Sequence, residues 1–243
     1  MEKVRISKIL SEKGLCSRRE ADKFIELGQV LLDGSIVKEL GAKACRSQKI
    51  QLRNKAKEIQ SSKATIILNK PVGYISHLDD DKKFIPAASL ITPVNFFKQD
   101  NNDRNPIFKT VGLAPAGRLD IDSSGLLVLT QDGRVAKKII GTNVLVEKEY
   151  LVRVEGNLTD EGLDYLNHGL SLDGYNLKPA KVFWQNKDQL SFTLIEGRNR
   201  QIRRMCDLVG IRVKALKRVR IGQVNLGSLP KGFWRFVDAG ENF

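Results

Sequence analysis

Two aspartates, Asp120 and Asp122, stand in the run Gly117-Arg118-Leu119-Asp120-Ile121-Asp122-Ser123-Ser124-Gly125, just ahead of the apolar segment Leu126 to Thr130. Polar, glycine-bearing loops held against a strand are frequent sites of reactive side chains. In extended chain two such carboxylates share a face and could hold Mg2+ for phosphodiester cleavage. One alone could serve as a nucleophile or stabilise positive charge. A third carboxylate for a metal site is not evident, and a turn-capping role suits any aspartate here. A phosphate loop is excluded, because Gly112 and Gly117 are followed by Arg118-Leu119 where a lysine and a hydroxyl residue are required. His77 and His168 are the only histidines, which makes Ser-His-Asp and Cys-His catalysis poor readings. Cys16, Cys45 and Cys206 lie far apart with no Cys-x-x-Cys, so neither zinc nor a disulfide framework is expected. The run Asp79-Asp80-Asp81 reads as a solvated loop rather than a metal site. Any chemistry falls to carboxylates, Tyr, Lys or Arg.

The elements that must position these residues divide in two. Ile6, Ile9 and Leu10 make the apolar stripe of a helix over 5–13 that Gly14 stops. Ser17 and Glu20 form a capping box for a second helix carrying Ala21, Phe24, Ile25 and Leu27, which ends at Gly28. Val30 to Leu32, Asp33-Gly34 and Ser35 to Val37 read as a hairpin, and Ile50 to Leu52 as a further strand. Residues 53–64 lose apolar periodicity and read as a linker, which gives units at 1–60 and 65–243. In the second unit strands are expected at Thr65 to Leu68, Leu126 to Thr130, Leu151 to Val154, Val182 to Trp184, Leu190 to Ile195 and Val213 to Val219. Helices are expected at Val135 to Ile140, Asp160 to Asn167 and Arg200 to Val209. Residues 77–112 read as a long surface excursion with one short helix near Ala87 to Leu90. Strands joined partly by hairpins and partly by helices imply an α+β fold with a largely antiparallel sheet.

Charge indicates the partner. The 243 residues carry 41 Lys plus Arg against 28 Asp plus Glu, a net charge of +13 that points to an acidic polymer. No apolar run is long enough to span a membrane and no secretory leader is evident, so a cytoplasmic protein is expected. Residues 1–60 hold 14 basic and 8 acidic side chains. Arg5, Lys8, Arg18 and Arg19 fall on the polar sides of the first two helices, where they could bind phosphates or simply be solvated. Nine basic residues and the single acid Asp207 lie between Gly197 and Arg220. Arg198, Arg200 and Arg204, around a helix start near Arg200, form a second candidate surface.

The amino-terminal pattern, R-I-S-K-I-L followed by S-R-R-E-A-D-K-F-I-E-L-G-Q-V-L-L-D-G, resembles the S4 RNA-binding domain. Further on, N-K-P-V-G at 69–73, G-R-L-D-I-D-S-S-G-L-L-V-L-T at 117–130, K-E-Y-L-V at 148–152 and E-G-R-N-R-Q-I-R-R-M at 196–205 stand in the order found in pseudouridine synthases of the RsuA/RluB/E/F branch. Together these resemblances cover nearly the whole chain. They imply a synthase domain behind an S4-like domain, acting without cofactor on a uridine of ribosomal RNA. By resemblance Asp120 is the catalytic carboxylate, Tyr150 the aromatic that stacks on the target base, and Arg203 the cation that pairs with Asp120. Ile202 would pack against the uracil pocket, and Arg118 would grip the backbone of a flipped nucleotide. The motif N-R-Q-I-R-R-M favours 23S over 16S RNA as target, either free or within a subunit being assembled, and the enzyme is expected to be a monomer. A non-catalytic S4-type RNA-binding or assembly factor is the alternative of another class.

Overall fold

A computed structural model describes residues 2–77, 83–98, 110–141, 144–238 and 240–243. The amino-terminal helix Ile6–Glu12 buries Ile6, Ile9 and Leu10 and is followed by Gly14 at φ +69°. The capping box forms as expected: the Ser17 hydroxyl accepts from the Glu20 amide, and the Glu20 carboxylate accepts from that of Ser17, at the start of the helix Arg18–Glu26. Strands Val30–Leu32 and Ser35–Val37 pair through Asp33-Gly34, whose φ angles of 48° and 88° match the turn that suits a twisted hairpin. Ile50–Leu52 pairs with the other edge of Val30–Leu32. These elements close over one core that includes Ile6, Leu10, Phe24, Ile25, Val30 and Leu52. Arg5 lies outside the helix expected to contain it. It ends the short strand Lys3–Arg5, which pairs with Lys43–Cys45.

The expected linker is instead partly helical. Asn54–Ser61 forms a helix that buries Ala56 and Gln60. The signal was hidden because the buried contact is polar: the Gln60 amide donates to Asp132 Oδ1 at 3.0 Å. Lys63 bonds both Gln60 and Glu20, and the Glu20 carboxylate also accepts from the Gly133 amide at 3.4 Å. The two units are thus joined by side-chain contacts as well as by the chain.

The second unit is built on a nine-stranded sheet. Its order is Lys181–Asn186, Gln189–Leu194, Lys148–Glu155, Arg212–Ile221, Ser124–Thr130, Thr65–Lys70 and Trp234–Phe236, with Val224–Asn225 and Ala114–Pro115 as short additions. Neighbours are antiparallel except Ser124–Thr130 and Arg212–Ile221, which touch in parallel over Ser124↔Lys217 and Gly125↔Arg218. Ser124–Thr130 and Thr65–Lys70 are nearly continuous apolar runs because both faces are covered there. Leu127 and Leu129 point to a core shared with the helices Asp160–His168 and Gln201–Leu208, while Leu126 and Val128 point to another shared with the helix Gly133–Ile140. The short helix Ala87–Leu90 is present as a 3-10 turn. Its surroundings are less peripheral than expected: Ile85–Pro86 pairs with Tyr74–Ile75, and Phe96 packs on Trp234 with ring centroids 4.8 Å apart. The Trp234 indole also donates to the Thr92 carbonyl at 2.7 Å. Asp79 to Asp81 and Asn101-Asn102 lie outside the described residues. Among the described residues no helix is long and apolar enough to cross a membrane.

Candidate active site

The loop carrying Asp120 is fixed from three sides. Ser76, buried, donates its hydroxyl to the Leu119 carbonyl at 2.7 Å and accepts from the Leu119 amide at 2.8 Å. The Gly73 amide donates to the Ile121 carbonyl at 2.8 Å, and the Ser123 amide closes a turn on the Asp120 carbonyl at 3.1 Å. Gly125 then lets the chain enter the sheet. Its φ is +101°, and a Cβ there would lie 2.8 Å from the Arg218 amide nitrogen and overlap the Arg218 carbonyl. Only glycine fits such a backbone crossing without displacement.

That turn separates the two aspartates. They are not in extended chain, so the shared face expected of an Asp-x-Asp pair does not arise. Asp120 lines a cleft of about 710 Å³ together with Arg118, Lys148, Tyr150, Ile202 and Arg203, with Leu216 and Arg218 beyond. Asp122 is outside this lining and takes two guanidinium groups: Arg200 at 3.0 Å and Arg203 at 3.3 Å. Arg203 also donates to the Asp122 backbone carbonyl at 2.9 Å. The expected pairing of Arg203 with Asp120 is therefore replaced by one with Asp122, and Arg203 holds the far side of the same loop. Among the described residues no group of three or more His, Cys, Asp or Glu side chains is placed to hold a metal ion.

Tyr150 sits on the strand Lys148–Glu155, opposite Phe192 on one side and Arg218 on the other. It is buried, with the Arg218 guanidinium 6.0 Å from its ring centroid. Ile202, on the helix Gln201–Leu208, is 4% exposed, so it belongs both to the core and to the cleft wall. Arg218 is the residue that sequence reading passed over. Its guanidinium is buried, donates to the carbonyls of Leu126 at 2.8 Å and Arg118 at 3.2 Å, and keeps Nη2 without a hydrogen-bond partner. In a run of nine cations nothing marks Arg218 as internal, because Val213 and Leu216 have opposite parity and a register shift opposite Arg153 and Val154 resets which residues face inward.

Lys70 was missed as well. It is wholly buried, and its ammonium donates to the carbonyls of Pro71 at 2.9 Å and Tyr74 at 2.8 Å. Burial pushes its pKa down to about 8, against the opposing pull of Asp120 and Asp122, with Arg218 adding a repulsion. Burial and Arg218 lower Lys148 in the same way. The cleft thus combines the loop carboxylates of Asp120 and Glu196 with the desolvated cations Lys148 and Arg218 and an aromatic wall, while Lys70 is buried outside its lining. This suits an anionic nucleotide whose base enters a semi-apolar pocket.

The candidate RNA-binding residues divide. Arg5, Lys8, Arg18 and Arg19 are all exposed on the amino-terminal unit, Lys8 within 3.9 Å of Glu12. Arg118 is exposed at the cleft. Arg200 has φ +48° and precedes the helix, and its charge is shared with Asp122. The helix starts at Gln201, and the side chain of that residue accepts from the Arg198 amide at 2.9 Å. Arg204 forms a two-pronged pair with Asp173 at 2.6 and 2.9 Å. Arg220 is held by Glu147 and Glu149, and Lys214 by Glu155. The count of nine cations therefore overstates the charge available to a polyanion.

The arrangement can be placed among known proteins. The sequence family described as RNA pseudouridylate synthase matches residues 64–208, and the S4 domain matches residues 4–50. The chain belongs to the RNA pseudouridylate synthase family. As a pseudouridine synthase it is 37% identical over 240 residues to the dual-specificity RNA pseudouridine synthase RluF of Escherichia coli O6:H1, with 98% of this chain and 77% of that protein covered. It is 36% identical over 234 residues to the ribosomal large subunit pseudouridine synthase B of Bacillus subtilis, covering 94% and 89%. A crystal structure of a pseudouridylate synthase superposes with a TM-score of 0.63 at 26% identity, covering 97% of this synthase and 96% of that chain.

Proposed function

We propose that this synthase isomerises one uridine of ribosomal RNA, in 23S rather than 16S RNA, with Asp120 as the catalytic carboxylate. The observation that carries the reading is the carboxylate of Asp120 in one cleft with Tyr150, Ile202 and Arg218, on a loop braced by Ser76 and Arg203. The reaction breaks the N1–C1′ bond, turns the uracil while it is held and joins C5 to C1′; C5 gives up its proton and the freed N1 takes one up, so there is no net loss of atoms and no redox change. A uridine in folded RNA must leave its stack to present C1′, and the cleft has the dimensions of a nucleoside site. Asp120 supplies the carboxylate to the reacting nucleoside, Tyr150 stacks on the uracil, and Ile202 forms part of its apolar wall. The unpaired Arg218 Nη2 donates to a uracil carbonyl, and Arg118 holds the adjoining phosphate.

The amino-terminal unit, 1–60, grips folded RNA through Arg5, Lys8, Arg18 and Arg19, and residues 65–243 carry out the chemistry. Two attachment surfaces on one chain raise the effective concentration of the cleft at its target. The large-subunit name of the Bacillus subtilis relative favours 23S RNA. The enzyme works as a monomer in the cytoplasm, on free RNA or on a subunit being assembled. Incubating the purified protein with unmodified ribosomal RNA and mapping carbodiimide-reactive uridines tests this. A new adduct at one position of 23S RNA is expected. RNA binding with no adduct anywhere would leave an S4-type assembly factor instead.

A further inference from the structure

An exposed aromatic ring at the rim of this cleft has no part in the chemistry above. Tyr175 lies in a small hairpin, Ser171–Leu172 paired with Tyr175–Asn176, whose turn residues Asp173 and Gly174 have φ of 54° and 77°. The hairpin is firmly seated. Leu172 is 4% exposed, Leu170 and Leu177 pack on the main core, and Asp173 takes the two-pronged pair with Arg204. The Tyr175 side chain stands outside that packing: the residue is 62% exposed and in no core cluster of the described residues. Its ring instead carries the Arg198 guanidinium, 5.0 Å from the centroid.

Arg198 connects the ring to the active site. It lines the cleft, as does Lys178, two residues beyond the hairpin. Both are tied to Glu196: the Lys178 amide donates to its carboxylate at 3.1 Å, and Arg198 approaches it at 3.9 Å. Gln201, from the helix that supplies Ile202 and Arg203, donates to the same carboxylate at 3.0 Å. Hairpin, arginine loop and helix therefore form one rim with fixed geometry. A cation on a largely exposed ring, beside a cleft lined with Arg and Lys, has the composition of a stacking platform for a single-stranded base.

We infer that Tyr175, backed by Arg198, stacks on an unpaired base flanking the target uridine and so helps to choose which uridine enters the cleft. The inference rests on the reading of the cleft as a uridine site. Its ligand is one base of a loop or bulge, displaced from the RNA stack when the uridine is extruded. A paired flanking base could not reach the ring without opening its pair, so the platform selects uridines next to unpaired nucleotides.

The test uses the full chain and the 23S fragment in which the wild-type protein forms pseudouridine. The Tyr175→Ala protein is expected to bind this fragment about tenfold more weakly, with Tyr175→Phe restoring the affinity, since stacking needs the ring and not the hydroxyl. Abasic substitutions are then placed one at a time around the uridine. At one position the abasic fragment should cost the wild type about tenfold and the Tyr175→Ala protein no more than twofold, because ring and base are then removed as a pair. Equal affinity of the wild-type and Tyr175→Ala proteins, or losses that add at every abasic position, would overturn the inference. Failure of the wild type to form pseudouridine in any ribosomal RNA would instead remove the underlying reading of the cleft.

Discussion

Replacing Ser76 with alanine separates the loop carrying Asp120 from its support without touching the cleft lining. The hydroxyl makes two hydrogen bonds to Leu119, at 2.7 and 2.8 Å, and both residues are buried. Alanine leaves an amide and a carbonyl there without that partner, each costing about 1–3 kcal/mol. Partial relaxation of the loop should bring the loss of stability to about 2–4 kcal/mol, and the melting temperature should fall by roughly 5–10 °C. The relaxation moves Asp120, the next residue, and a displacement on the order of 1 Å costs about a hundredfold in rate. Single-turnover pseudouridine formation by Ser76→Ala is therefore expected to slow by roughly ten- to a hundredfold, measured well below the melting temperature. RNA affinity should stay within about threefold, because the cations that meet phosphate are unchanged. A variant that is destabilised but turns over at the wild-type rate would refute the idea that Ser76 positions Asp120.

Gly125→Ala should be more damaging than its size suggests, since the added carbon overlaps the Arg218 backbone at the parallel crossing of two central strands; thermal denaturation should show a loss of at least about 2 kcal/mol, and an unchanged transition would contradict the packing. Gly133→Ala places a carbon against Ser17, 2.7 Å from its hydroxyl oxygen, where the amino-terminal unit meets the synthase unit. It should raise proteolytic cleavage near 53–64 with a loss of about 1–3 kcal/mol, and wild-type resistance would argue against a fixed contact. Lys70 has a pKa of about 8 when folded against an ordinary 10.5, so between these values the unfolded chain binds more protons and the wild type gains stability as pH rises. Compared with Lys70→Met in denaturant titrations, the wild type should improve between about pH 8 and about pH 10, and parallel behaviour of the two proteins would contradict the burial of that charge.

Much of the architecture was readable because local signals and tertiary packing agree. The capping box at Ser17 and Glu20, the Asp33-Gly34 turn and the apolar strand at Leu126 to Thr130 each depend on neighbours in sequence. The helix Asn54–Ser61 was not readable, since its buried face is secured by a polar bond from Gln60 to a residue 72 positions away. Trp234–Phe236 was missed as a strand because its partner, Thr65–Lys70, is remote in sequence. The site shows the same division. Asp120, Tyr150, Ile202 and Arg203 lie around one cleft as the motifs implied, but the carboxylate that Arg203 takes depends on a turn at 120–123 that reverses the expected alternation. Lys70 and Arg218 carry charge into the interior, and composition alone assigns such residues to the surface.

The proposed role of the Asp120 carboxylate in the isomerisation is decided by pseudouridine formation and RNA affinity measured side by side for the wild type and Asp120→Asn on the same ribosomal RNA fragment. Asparagine keeps the size and removes the charge. The expected result is product below detection with binding within about threefold of wild type; pseudouridine at a rate near that of the wild type would contradict the account.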